Sequence, residues 1–134
     1  MRINVSKTEP KAYRAMLALE HYLNDTDLNP IHKELIKIRA SQINGCAYCL
    51  NMHTKDARKL GETEQRIYML NAWEEAYDLY TEEEKVILAM TEEITLISQK
   101  GLSDETYKKA IVLFTENQIA QLIMAIVAIN AWNR

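Results

Sequence analysis

The residues best suited to chemistry in this sequence are its two cysteines, Cys46 and Cys49, with His53 one helical turn further on and Glu34 twelve residues before the first thiol. Two thiols at positions i and i+3 at the start of a helix can close a disulfide with little backbone movement. The dipole at that end of a helix also favours thiolate over thiol. The spacing therefore predicts thiol redox chemistry.

The segment after Gly45 predicts a helix that carries the thiols and the imidazole on one face. The predicted core side consists of Cys46, Cys49, Leu50, His53, Ala57 and Leu60, and the outer side of Asn51, Lys55, Arg58 and Lys59. His53 then lies within hydrogen-bond reach of a thiol, directly or through one water, as a base for that thiol requires.

Glu34 lies at the edge of an apolar stripe on the preceding predicted helix, where a carboxylate needs a partner. If the two helices pack antiparallel across Asn44 and Gly45, Glu34 can hold His53 in one tautomer, which gives a carboxylate–imidazole–thiol relay. The simpler alternatives are a core histidine and a glutamate in a surface salt bridge.

A zinc ion held by Cys46, Cys49, His53 and Glu34 is the main chemical alternative, because all four donor types are acceptable. Structural zinc sites normally take ligand pairs from two separate knuckles, whereas three of these candidates lie along one helix. We therefore predict a site without metal and without a cofactor.

The composition narrows the classes of partner. The chain has 134 residues and a net charge of −3, so we predict one domain over residues 1–134 and expect neither nucleic acid nor an anionic membrane surface as a partner. Residues 30–61 carry six basic and two acidic residues, so nearby positive charge is expected to lower a thiol pKa. The N-terminus has no apolar leader, and the longest apolar run, 122–129, is too short to span a bilayer, which predicts a cytoplasmic protein.

Helical spacing of apolar residues and repeated capping signals predict an all-α bundle. Helix starts are marked by Pro10, Asn29-Pro30, Thr81 with Glu84, Ser103-Asp104 and Thr115 with Gln118, and helix ends by Gly45, Gly61 and Gly101. The predicted helices lie near 8–23, 30–44, 46–60, 63–72, 81–100, 103–114 and 116–133.

The last predicted helix is apolar around nearly its full circumference, which indicates burial on all sides. In so small a domain this is easier to arrange if a neighbouring subunit covers one face, so we expect a homo-oligomer. The alternative is a central helix wrapped by its own chain.

The set Glu34, Cys46, Cys49 and His53 at these spacings resembles the signature of the alkylhydroperoxidase D-like proteins within the carboxymuconolactone decarboxylase family. The flanking residues 35–45 and the ending 129–134 resemble the small single-domain branch. The decarboxylase branch is similar in fold but does not depend on a CxxC pair, so the pair argues against lactone decarboxylation.

The resemblance implies an all-helical fold built on a helical hairpin, oligomers that are often trimers or hexamers, and reduction of organic hydroperoxides without haem or flavin. It implies that Cys49 attacks the peroxide, Cys46 resolves the sulfenic acid to a disulfide, His53 is the base and Glu34 orients it. A lipoyl-bearing or other dithiol protein is the implied reductant. The residues between the cysteines, Ala47 and Tyr48, depart from relatives that carry an additional polar residue or histidine there. A redox-responsive protein without enzymatic activity is the competing function.

Overall fold

A computed structural model describes residues 2–76 and 78–134, and all regular secondary structure within them is helical. Eight α-helices and one 3-10 turn form in these residues, and six of the helices have more than seven residues, so the all-α prediction is confirmed. They are α1 (Val5–Thr8), α2 (Pro10–Asn24), α3 (Pro30–Asn44), α4 (Ala47–Lys59), α5 (Glu64–Tyr68), the 3-10 turn Leu70–Ala72, α6 (Glu82–Thr95), α7 (Asp104–Leu113) and α8 (Glu116–Asn133).

The predicted helix starts at Asn29, Thr81, Ser103 and Thr115 are confirmed by side-chain capping contacts. The Asn29 side chain accepts a hydrogen bond from the N–H of Ile31 at 2.9 Å, and Pro30 occupies the first helical position. Reciprocal capping boxes begin α6 and α8, through Thr81 with Glu84 and Thr115 with Gln118 respectively. These local contacts explain why the sequence alone locates the starts well.

Three predicted helices differ from the observed ones in extent or continuity. The predicted helix 8–23 is interrupted before Pro10, because proline disfavours helical backbone in the preceding residue. The predicted helix 63–72 divides into α5 and the 3-10 turn, which directs Leu70 into a core cluster. The predicted helix 81–100 ends at Thr95, because the chain must turn back for the backbone N–H of Ser103 to reach Glu93 at 2.8 Å.

Helices α3 and α4 form the hairpin that positions the cysteines. α3 packs against α4, α6 and α8, so it lies at the centre of the bundle. Gly45 ends α3 in left-handed backbone with a φ of 65°, and this sharp turn starts α4 at Cys46. As a result, Glu34 in the first half of α3 lies beside His53 in the middle of α4.

The single chain does not cover α8 on all sides, so the alternative of a central helix wrapped by its own chain is wrong. Leu122, Ile126 and Ile129 are buried in the main core cluster, but Val127 is 42% exposed. The helix therefore presents one large apolar residue, Val127, outward that its own chain does not cover. No helix within the described residues is long and apolar enough to cross a membrane.

Candidate functional site

The two cysteines lie at the first turn of α4. Cys46 is the N-cap residue and is half-buried, whereas Cys49 is 4% exposed. Both are free thiols, and their Sγ atoms are 2.8 Å apart. A disulfide, with an S–S bond of about 2.05 Å, therefore requires little movement of the backbone.

Glu34 and His53 form a buried pair next to the thiols. Glu34 Oε2 lies 2.9 Å from His53 Nδ1, and each residue is 8% exposed. A carboxylate at Nδ1 favours the tautomer that has its proton on that nitrogen. Nε2 is then left unprotonated, so it can accept a proton from another group.

A cavity of about 280 Å³ connects the imidazole and the thiol of Cys49. Within the described part of the chain no hydrogen bond joins His53 to either sulfur, so a proton transfer between them requires a water or a substrate in this cavity. Its walls are mostly apolar or aromatic, and they consist of Tyr13, Leu17, Glu20, Tyr48, Cys49, Met52, His53 and Trp132.

Two further charged residues adjoin the Glu34–His53 pair, since Lys37 lies next to Glu34 and Glu20 lies next to Lys37. Residue spacing in the sequence did not identify either of them. Lys37 Nζ lies 3.6 Å from Glu34 Oε1 and 3.9 Å from Glu20 Oε2, with its side chain only 13% exposed. Glu20 in turn accepts a hydrogen bond from Trp132 Nε1 at 2.9 Å. Lys37 follows Glu34 by three residues, so helical periodicity places it on the same face, but its contact with Glu20 depends on the packing of α2.

The two thiols differ in acidity. Burial alone raises the pKa of Cys46, but the interaction with the Cys49 side chain and N–H, with smaller contributions from Asn133 and the Tyr48 N–H, lowers it overall. Burial and the interaction with Cys46 raise the pKa of Cys49, and the side chains of Asn133 and Ser41 offset only part of the rise. Cys49 is therefore the thiol that needs a base at neutral pH.

The expected effect of the cationic segment on the thiols is wrong. No lysine or arginine is among the main causes of the pKa shift of either cysteine. The reason is orientation, because Lys55, Arg58 and Lys59 project from the outer face of α4 into solvent, as the helical wheel predicted. Leu60, which the wheel placed on the core side, is 46% exposed because α4 ends at Lys59 and the chain turns away at Gly61.

The described residues contain no group of three or more His, Cys, Asp and Glu side chains arranged to hold a metal ion. In place of a shared centre, the four sequence-predicted residues form two pairs, Glu34 with His53 and Cys46 with Cys49. A carboxylate–imidazole pair beside a dithiol suits proton transfer coupled to thiol oxidation.

The sequence pattern of the carboxymuconolactone decarboxylase family matches residues 10–92, which include α3, α4 and all four of these residues. The chain belongs to this family. The uncharacterized protein YdfG of Bacillus subtilis (strain 168) is 47% identical over 133 residues, which is 99% of this chain and 90% of YdfG.

Two solved structures are similar in fold to this family member. One, from Agrobacterium tumefaciens, is of a protein of unknown function provisionally assigned to antioxidant defence as AhpD; it has a TM-score of 0.94 at 40% identity and covers 99% of this chain and 90% of that one. The other is an uncharacterized peroxidase-related protein from Silicibacter sp. TM1040, with a TM-score of 0.77 at 23% identity over 90% of this chain and 64% of that one. The second likeness shows a common fold only.

Proposed function

We propose that this protein is a thiol-dependent peroxidase that reduces organic hydroperoxides. The observation that carries the proposal is that Cys49 and His53 face one cavity while the sulfur of Cys46 lies 2.8 Å from that of Cys49. The first thiol can thus meet a substrate beside a base, and the second can reach the oxidised sulfur without a rearrangement of the fold.

In the proposed cycle, His53 Nε2 takes the Cys49 proton through a water or the bound peroxide, and the thiolate attacks the terminal peroxide oxygen. The O–O bond breaks, Cys49 becomes a sulfenic acid, and the leaving alkoxide takes a proton from His53 to give the alcohol. The Cys46 thiolate then attacks the Cys49 sulfur and releases water, once the departing hydroxide is protonated. A dithiol reduces the resulting disulfide and is itself oxidised.

The walls of the cavity favour an organic hydroperoxide over hydrogen peroxide. Tyr13, Leu17, Met52 and Trp132 supply apolar and aromatic surface at the mouth, and the ring of Tyr13 meets that of Trp132 edge-on at 5.6 Å. Such surface stabilises a bound alkyl or aryl group by about 25 cal/mol for each square ångström buried. Hydrogen peroxide has no apolar group that could contact this surface.

The reductant is proposed to be a dithiol, free or carried on a lipoyl-bearing protein. Tyr48, between the two cysteines, is 76% exposed, and Cys46 beside it is half-buried. A disulfide at this position therefore lies near the surface, where a flexible dithiol arm reaches it more easily than a rigid protein face does.

The direct test of the peroxidase proposal is turnover of cumene hydroperoxide by the reduced wild-type protein with dihydrolipoamide as reductant. We expect multiple turnovers, a preference in kcat/KM for cumene hydroperoxide over hydrogen peroxide of at least about tenfold, which is about 1.4 kcal/mol, and an intramolecular Cys46–Cys49 disulfide in the oxidised protein. Peroxide consumption no faster than with a Cys46→Ser, Cys49→Ser double variant contradicts the proposal.

The same protein is proposed to be a homo-oligomer, a trimer or hexamer, with the outer side of α8 in a subunit interface. Val127 on α8 is 42% exposed and Ile97 nearby is 66% exposed, and both line one surface depression. An interface that covers them removes this apolar surface from water.

Val127→Asp is expected to shift the protein to smaller species without unfolding it, because a carboxylate is costly in a dry contact but not in solvent. Light scattering and circular dichroism measure the two effects. Ile126→Asp does not test the interface, since Ile126 is fully buried within its own chain. Val112→Asp, on the 81% exposed Val112 of α7, is the matched control, and a wild-type monomer at micromolar concentration contradicts the oligomer proposal.

A further inference from the structure

Lys37 on α3 lies between two carboxylates. Its Nζ atom is 3.6 Å from Oε1 of Glu34 and 3.9 Å from Oε2 of Glu20, which belongs to α2. The Lys37 side chain is only 13% exposed, so salt and water screen these ion pairs less than they would at the surface. One ammonium group therefore serves two carboxylates from two different helices.

Each of the two carboxylates has its second oxygen on a ring nitrogen of the cavity wall. Oε2 of Glu34 lies 2.9 Å from Nδ1 of His53, and Oε1 of Glu20 accepts a hydrogen bond from Nε1 of Trp132 at 2.9 Å. Both rings line the same cavity. Lys37 thus draws one oxygen of each carboxylate to itself and leaves the other oxygen to the ring.

The charges of these groups partly cancel beside His53. Two carboxylates and one ammonium leave a single negative charge, whereas the carboxylates alone would leave two. A nearby negative charge stabilises an imidazolium ion, so two of them would keep a proton on the ring, which could then accept none from a thiol. With no net negative charge, the ring would bind a proton less well.

The other titratable side chains that share the cavity with His53 contribute little charge. They are Tyr13 from α2, and Tyr48 and Cys49 from α4. Phenols and thiols stay mostly uncharged around pH 6.5, where an imidazole titrates, and the pKa of Cys49 is raised further. Helix α8 contributes the indole of Trp132 to the cavity wall, and this group does not titrate. The charge beside His53 is therefore set by the two carboxylates and Lys37.

We propose that Lys37 and Glu20 are positioning residues that balance the charge of the Glu34–His53 pair, so that the imidazole is unprotonated before the thiol reacts and still able to take its proton. Lys37 offsets one carboxylate and fixes the orientation of Glu34. Glu20 prevents Lys37 from cancelling the charge of Glu34 completely. The use of this balance in catalysis rests on the peroxidase proposal, but the balance itself does not.

Titration of the His53 ring by NMR tests the charge balance without thiols or peroxide. The background is the double variant in which serine replaces both cysteines, and the signal that is lost in His53→Gln identifies this ring among the three histidines. We expect Lys37→Met to raise the titration midpoint by about one pH unit, a tenfold tighter hold on the proton, because both carboxylates then act on the ring without an offsetting charge. Glu20→Gln should lower the midpoint by about half a pH unit, because Lys37 then offsets Glu34 alone. Lys37→Arg keeps the positive charge and should leave the midpoint near that of the wild type.

The variant that combines Lys37→Met with Glu20→Gln retains one negative charge, as the wild type does, so its midpoint should lie between those of the two single variants. Damaged packing does not produce opposite shifts that offset each other. Lys55→Met is the matched control, since Lys55 is exposed on the outer side of α4 and solvent screens its charge.

Circular dichroism verifies the fold of each variant, and if Lys37→Met does not fold, the direction of the Glu20→Gln shift decides the matter. Shifts of the same sign in the two single variants, or midpoints that coincide with that of Lys55→Met, overturn the charge balance. A wild-type protein that reduces no cumene hydroperoxide refutes the peroxidase proposal instead and leaves the titration result standing.

Discussion

Cys49→Ser is expected to abolish turnover of cumene hydroperoxide, whereas Cys46→Ser is expected to undergo a single round of oxidation and stop as a sulfenic acid. The physical reason is that attack and resolution require two different sulfurs. Cys49 shares the cavity with His53, and Cys46 is the N-cap residue outside that lining. Only Cys49 is therefore positioned to meet the substrate beside the base.

Mass spectrometry after one equivalent of peroxide measures this result, with dimedone added to trap a sulfenic acid. Serine keeps the volume of each replaced side chain nearly constant, and the Cys46→Ser, Cys49→Ser double variant is the control for adducts at other residues. A dimedone adduct on Cys46 in the Cys49→Ser variant, with none on Cys49 in the Cys46→Ser variant, would reverse the assignment of the two roles.

The two thiols differ in acidity, so the experiment distinguishes attack by the more acidic thiol from attack by the thiol beside the base. The pKa of Cys46 is lowered and that of Cys49 is raised, so in the resting protein the negative charge is favoured on Cys46. If acidity alone decided reactivity, Cys46 would attack the peroxide. The cavity and the imidazole favour Cys49 instead, because a base can generate its thiolate at the moment of reaction. A Cys46 thiolate is also well prepared to resolve a sulfenic acid at Cys49.

The sequence predicts those parts of the site whose residues lie close together along the chain. Cys46, Cys49 and His53 lie on one helix, so periodicity alone groups them. Glu34 joins them through the α3–α4 hairpin, which the glycine at position 45 makes predictable. Capping residues likewise locate helix starts, because they act within one turn.

The parts that the sequence did not predict depend on contacts between distant segments. Lys37 meets Glu20, and Asn133 meets Ser41, only because α8 packs against α3 and α2 packs against α8. The early end of α6 at Thr95 has the same origin, since Glu93 binds Ser103 across the following loop. Local propensity carries no information on such pairings. Asn133, which directly follows Trp132 at the end of the apolar helix α8, is nevertheless recognisable as a polar residue in an apolar segment.

If Glu34, His53 and Cys49 act together as a proton relay, two further variants should alkylate Cys49 more slowly, to an extent that depends on pH. His53→Gln and Glu34→Gln should each slow alkylation of Cys49 near neutral pH, by up to the about 10²–10⁴-fold that a general base contributes. Since the pKa of Cys49 is raised, its thiolate is scarce at neutral pH and increases as the pH rises. The rates of both variants should therefore approach that of the wild type in alkali, where the thiolate forms without a base.

Rates of alkylation in a Cys46→Ser background are measured by mass spectrometry from about pH 6 to 10.5, so that the range extends above the usual thiol pKa toward the raised pKa of Cys49. His21→Gln and Glu64→Gln are matched controls, because both parent residues are exposed and neither lines the cavity. Thermal melting shows whether loss of the buried Glu34–His53 pair also weakens the fold. A uniform slowing at every pH indicates a structural role, since distorted packing impedes thiol and thiolate alike. Profiles that overlay those of the controls at all pH values mean that the pair moves no proton from Cys49, and the proposed peroxidase then lacks its base.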